Sequence, residues 1–154
     1  MQSHRLRLFA DYHQFYLQDE AAQGDLSNAW DQAAMDRMLA VSSGVVGIGT
    51  ARDMEVDVTI EFHASAPPLD LAVADHVVEA SLVVMRGPLV VAGCTDYRPD
   101  AARFALAPGT YRVRLSVRGL DTISEDGFDG QDHYCVQLWQ APSIEPTVLR
   151  QRTR

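Results

Sequence analysis

The chain has 154 residues, 47% of them apolar and 22% charged, which is one ordinary globular domain's worth of core with no need of disulfides or a structural metal. Its formal charge is -8, with 21 acids against 13 basic side chains, all of them Arg, so DNA and an acidic membrane are excluded as natural partners. No apolar stretch approaches the ~20 residues needed to span a bilayer, and Met1–Phe15 shows neither a continuous apolar run nor a small-residue cleavage site, so a cytoplasmic protein with reduced thiols is the expectation.

In chain order, strands are predicted over Arg5–Ala10 and Tyr12–Gln18. Between them, Asp11-Tyr12-His13-Gln14-Phe15 is the densest local signature. Tyr12 and Phe15 lie three apart and would face opposite sides of a regular strand, so a bulge or turn near His13 or Gln14 is expected. His13 and Gln14 then either present polar groups to a partner or serve locally, with His13 bonding a neighbouring carbonyl. Ser27 is positioned to cap a helix over 28–42, with Trp30, Ala34, Met38 and Val41 on one face, Arg37 late and Gly44 past the end. Further strands are expected over Val45–Thr50, Met54–Ala64, His76–Arg86, Leu89–Thr95, Arg103–Leu106, Thr110–Arg118 and His133–Gln140, separated by Ala66-Pro67-Pro68, Arg86-Gly87-Pro88 and Ala107-Pro108-Gly109.

The alternation is strictest in two places. Met54, Val56, Val58, Ile60 and Phe62 oppose Glu55, Asp57, Thr59, Glu61 and His63, and Tyr111, Val113, Leu115 and Val117 oppose Thr110, Arg112, Arg114, Ser116 and Arg118. If these two strands are neighbours, their acidic and basic faces pair. The pattern predicts a mainly β, single-domain antiparallel β-sandwich over residues 1–144 with one short helix and a tail over 145–154.

Charge is blocked rather than dispersed. Leu8–Asp36 holds six acids and no Arg, and Gly119–Leu149 holds six more, leaving nine acids against 13 Arg elsewhere. If the two blocks converge, they form an anionic face for a cationic protein. Within the second block, Asp121-Thr-Ile-Ser-Glu125-Asp126-Gly-Phe128-Asp129-Gly-Gln-Asp132 admits three readings. An aromatic anchor ringed by carboxylates suits a protein-binding loop, since carboxylates can compete for a nuclease cleft built to hold phosphates. Hard oxygen ligands suit Ca²⁺, although the alternate-position ligands and terminal Glu of an EF-hand are missing. A solvated loop is the third.

No cofactor is called for. His4, His13, His63, His76 and His133 show no zinc spacing, and no nucleophile elbow is present, so an enzyme using His13 or His133 ranks last. Gly44-Val-Val-Gly47-Ile-Gly49 lacks the order of a dinucleotide-binding turn. Cys94 and Cys135 both read as buried, inert thiols in strands.

Tyr12-His13-Gln14-Phe15, Trp30 at a helix start and Pro108-Gly109-Thr110-Tyr111 before a late alternating strand resemble the competence protein J family, which contains an inhibitor of a DNA-entry nuclease. Similarity over most of the chain implies a mainly β sandwich and a complex with a nuclease. The chain departs from that pattern in its longer acidic stretch before the strand at His133–Gln140. The expectation is therefore a non-enzymatic module that binds a basic, nuclease-like protein through Asp121, Glu125, Asp126, Phe128, Asp129, Asp132, His13 and Gln14. The alternative is a sandwich that binds Ca²⁺ or a small molecule.

Overall fold

The computed structural model describes residues 1–153. Within these residues, eleven strands form two sheets. The larger sheet runs β1 (Gln2–Phe9), β5 (Glu55–Phe62), β10 (His133–Gln140), β9 (Gly109–Arg118), β6 (His76–Val84), β11 (Thr147–Arg150). The smaller runs β3 (Leu39–Ser42), β4 (Val45–Gly49), β2 (Gln14–Asp19), β7 (Leu89–Gly93), β8 (Ala102–Phe104). The inward sets of the alternating strands meet between the sheets: Val56, Val58 and Ile60 with Val113, Leu115 and Val117 from one side, Phe15, Leu17, Ile48 and Val91 from the other. The mainly β sandwich with one short helix is thus the architecture. Among the described residues no helix is long and apolar enough to cross a membrane.

Four features depart from the sequence reading. First, the ladder is not wholly antiparallel: β10 lies parallel to β5, with His133 opposite Asp57 and Val136 opposite Ile60. Alternation fixes which face a side chain takes, not which strand sits beside it. Because β10 separates β5 from β9, the anticipated pairing of their charged faces does not form. Glu55 and Asp57 instead pair with Arg7 on β1, at 3.0 and 3.2 Å, while Arg114 on β9 pairs with Glu79 on β6 at 2.8 Å.

Second, the helix α1 covers only Gln32–Arg37 and is capped by Asp31, whose carboxylate accepts from Ala34 N–H at 2.8 Å. Ser27 is turned back on Asp25. Met38, at φ 61°, ends the helix in the left-handed region. Leu39–Ser42 then pair with β4, so Ser43 and Gly44 (φ 72°) make a hairpin turn rather than a helix stop. Val41 continues a helical period but belongs to a strand, where a β-branched side chain packs better.

Third, Thr147–Arg150, inside the segment read as a tail, forms β11 against β6. Arg152 N–H also donates to His76 Nδ1 at 3.1 Å, and His76 Nε2 lies 2.7 Å from the Arg37 carbonyl. A ring that accepts at Nδ1 and donates at Nε2 is neutral, and burial holds the His76 pKa below its ordinary value.

Fourth, both cysteines are free, but only one is shielded. Cys135 is half-buried on β10, while Cys94 lies just past β7 and is exposed.

Candidate functional site

At the end of the sandwich where β1 turns into β2, Asp11–His13 forms one turn of 3₁₀ helix. Tyr12 and His13 sit at φ 60° and 59°, the left-handed region that bulky L-residues seldom occupy. This is the turn the Tyr12–Phe15 spacing called for. It puts Phe15 wholly inside and leaves Tyr12 70% exposed. Met38, the third non-glycine residue at positive φ, borders the same groove as Tyr12 and His13. That groove has a volume of about 500 Å³ and is walled by Trp30 and Met35 of the helix region and floored by Gly49–Ala51. Backbone strain of this kind persists only where the surroundings over-determine it, and it concentrates at working surfaces.

Gln14 and His13 both have local partners. Trp30 Nε1 donates to Gln14 Oε1 at 2.9 Å, and His13 Nδ1 lies 3.3 Å from the Thr50 carbonyl, to which it donates.

The acidic loop is built, not merely solvated. The Asp126 carboxylate accepts from Ser124 Oγ at 2.6 Å and from Phe128 N–H at 3.0 Å, and Ser124 N–H donates to the Asp129 carbonyl. Those two donors, the Ser124 hydroxyl first, hold the Asp126 carboxyl below the usual carboxylate range. Gly127, at φ 77°, makes the reversal possible. Phe128 is lifted to 60% exposure, and Asp121, Glu125, Asp126 and Asp129 are exposed around it. No ion pair reaches these four acids among the described residues. Nor, among the described residues, is there a group of three or more His, Cys, Asp or Glu able to hold a metal ion.

Asp132 behaves differently. It is buried, paired with Arg52 at 2.7 Å, and accepts from the Tyr134 hydroxyl at 2.7 Å. Its place is beneath the loop, not on the surface a partner would touch. Arg52 in turn donates to the carbonyl of Phe128 at 3.0 Å. Tyr134 Oη accepts from Ala51 N–H at 2.8 Å, one residue from the Thr50 carbonyl that holds His13. A continuous set of hydrogen bonds therefore runs from the His13 turn, through Thr50–Arg52, Tyr134 and Asp132, to the backbone of Phe128. Burial, then the bond to Asp132, pushes the Tyr134 hydroxyl well above its ordinary pKa, so it stays a donor. Leu120 and Ile123, at the start of the acidic loop, border a shallow depression that shares Ala51 with the groove.

The structure thus brings together the segments containing His13 and Gln14, and Phe128 with its exposed acids, at one end of the molecule. The first acidic block as a whole does not join them. β2 carries the chain on the order of 20 Å from Asp11 to the opposite end. There Glu20 pairs with Arg103 at 2.9 Å, and Asp19 is buried against the β6–β7 crossover, accepting from the N–H groups of Met85 (2.6 Å) and Gly87 (2.9 Å). Sequence reasoning did not single out Arg52, Tyr134 or Met35, and it placed Met38 on a helix face rather than at the helix end beside the groove. Only the spacing of Tyr12 from Phe15 hinted at the strained turn.

This arrangement of two sheets and one short helix has solved counterparts. The crystal structure of ComJ, inhibitor of the DNA degrading activity of NucA, from Bacillus subtilis matches with a TM-score of 0.67 at 14% identity, over 92% of this chain and 96% of that one. The chain has a ComJ-like fold. A protein described as Crocagin biosynthetic gene J matches with a TM-score of 0.59 at 18% identity, over 92% of this chain and all of the other. No family model and no curated protein sequence matches the chain.

Proposed function

We propose that the chain is a non-enzymatic protein-binding module that inhibits a basic, nuclease-like protein through the end of the sandwich carrying Tyr12 and Phe128. The observation that carries this reading is the buried connection between the two turns. An exposed Phe128 on a turn pinned by Asp126, and tied through Arg52 and Tyr134 to the Tyr12–His13 turn, is a preorganised apolar anchor. Asp121, Glu125, Asp126 and Asp129 supply the charge that draws a cationic surface toward it. The ComJ neighbour, an inhibitor of a DNA-degrading activity, supports the same class of role. His13 and Gln14 shape the turn and the groove, and contact with the partner falls to Tyr12, Met35 and Phe128.

Titrating the protein into basic nucleases tests this directly. Inhibition is expected at low salt, weaker at high salt, and reduced by Asp126→Lys with Asp129→Lys. Inhibition that is insensitive to that pair of charge reversals would defeat the proposed mode of binding.

A further inference from the structure

The outer face of the larger sheet carries a second concavity, of about 320 Å³, that the protein-binding end does not use. Its floor is the row Arg5, Thr59, Cys135, Ser116, set side by side by the strand register, with His133 and Arg118 opposite each other in the next row. Thr59 Oγ1 and His133 Nε2 are 2.8 Å apart. Leu69 and Val73, 44% and 61% exposed, lie along its edge on the segment that joins β5 to β6.

The charges here run against the character of the molecule. In a chain with 21 acids, Arg5 and Arg118 make no ion pair among the described residues, although β1, β5 and β9 all place carboxylates and guanidiniums in contact elsewhere on this face. Burial first, then Arg118, oppose protonation of His133; Asp57, its neighbour on β5 and already paired with Arg7, favours it, and Arg5 opposes it more weakly. Two carboxylates also border the concavity. Glu61 is engaged by Gln137 and His63 at 3.0 and 2.8 Å, and Asp70 is turned onto its own loop, accepting from Ala72 N–H. Arg114 is committed to Glu79. What is left uncompensated is a pair of guanidinium forks, with hydroxyl groups between them and aliphatic side chains at the rim.

We propose that this concavity binds a small organic carboxylate with an apolar body, its carboxylate taken by Arg5 and Arg118 over the Thr59–His133 pair and its body covered by Leu69 and Val73. A guanidinium matches a carboxylate through parallel N–H···O bonds, and the aliphatic edge selects against a bare oxyanion. The site lies on the sheet face and is independent of the nuclease-binding proposal.

Benzoate serves as the probe, with benzamide as its uncharged isostere and inorganic phosphate as the bare oxyanion. Binding is read by calorimetry and by chemical-shift changes at Thr59, Ser116 and Cys135. Benzoate is expected to bind and to shift those positions, with benzamide and phosphate each weaker by about tenfold or more. Arg5→Gln with Arg118→Gln is expected to weaken benzoate by at least about tenfold without moving the melting temperature, since both side chains are exposed and unpaired. Benzoate bound no better than benzamide, phosphate bound as well as benzoate, or benzoate affinity unchanged in the double variant would each overturn the assignment.

Discussion

Asp132 offers the sharpest separation between an anchoring acid and the contact acids around it. Asp132→Ala removes the partner of a guanidinium whose side chain is 8% exposed and also removes the acceptor of the Tyr134 hydroxyl. Breaking a buried pair by deleting one member costs about 3–5 kcal/mol, most of it from the charge left behind. Arg52 retains carbonyl acceptors at Phe128 (3.0 Å) and at Glu55 and Gly130 (both 3.4 Å), which places the loss near the low end, about 3 kcal/mol. For a domain of this size that is a fall in Tm of about 6–12 °C. Asp129→Ala, on the exposed side of the same loop, is expected to stay within about 0.5 kcal/mol of the parent. Thermal and urea unfolding followed by circular dichroism measure both. Equal stability of the two variants would refute the assignment of Asp132 as the loop's internal tether.

Asp19 is held below the ordinary carboxylate range because, although burial pulls it upward, the N–H groups of Met85, Ala21, Gly87 and Arg86 together outweigh that. A depressed folded pKa adds stability that is complete above the unfolded value of about 3.9 and is lost as pH falls through the folded value. Asp19→Asn should therefore flatten the acid limb of the stability–pH curve and cost about 1–3 kcal/mol at neutral pH; an unchanged acid limb would contradict it. Tyr12→Gly relieves the left-handed backbone strain while removing an exposed ring. Unfolding free energy is expected to rise by a few tenths to about 1 kcal/mol and nuclease inhibition to weaken, whereas a destabilised variant would argue against strain there. For the thiols, burial pushes Cys135 up to about 12 and, with Asp11 and Asp96, raises Cys94 more modestly. Alkylation of the native protein near pH 8 should stop at one adduct, on Cys94, as read by mass spectrometry, and two rapid adducts would show that Cys135 is not protected.

The strands at 55–62 and 109–118 were legible because period-two alternation records a face, and the Pro-Gly turns gave their spacing. Their neighbours were not legible, because alternation is indifferent to whether the adjoining strand is β9 or β10. The helix was over-extended for a related reason: Trp30, Ala34, Met38 and Val41 satisfy a helical period, yet the left-handed Met38 and the ladder from Leu39 to Ile48 take the chain into a sheet. In the candidate site, Phe128 and its neighbouring acids stood out as an aromatic among carboxylates. The role of Asp132 did not, because its partner Arg52 is 80 residues away in sequence and nothing local distinguishes a buried carboxylate from an exposed one. The gathering of negative charge was half legible, since composition counts acids but not the strand length that carries Asp19 and Glu20 to the far end.

The central claim, that the Tyr12 and Phe128 turns act as one protein-binding surface, is tested most directly by hydrogen exchange of the protein alone and in complex with a basic nuclease it inhibits. Coincident protection at Asp11–Gln14 and Ser124–Asp129, with little change on the outer face of the larger sheet, is the predicted result. Protection confined to that outer face, or to the opposite end around Asp19 and Glu20, would contradict it.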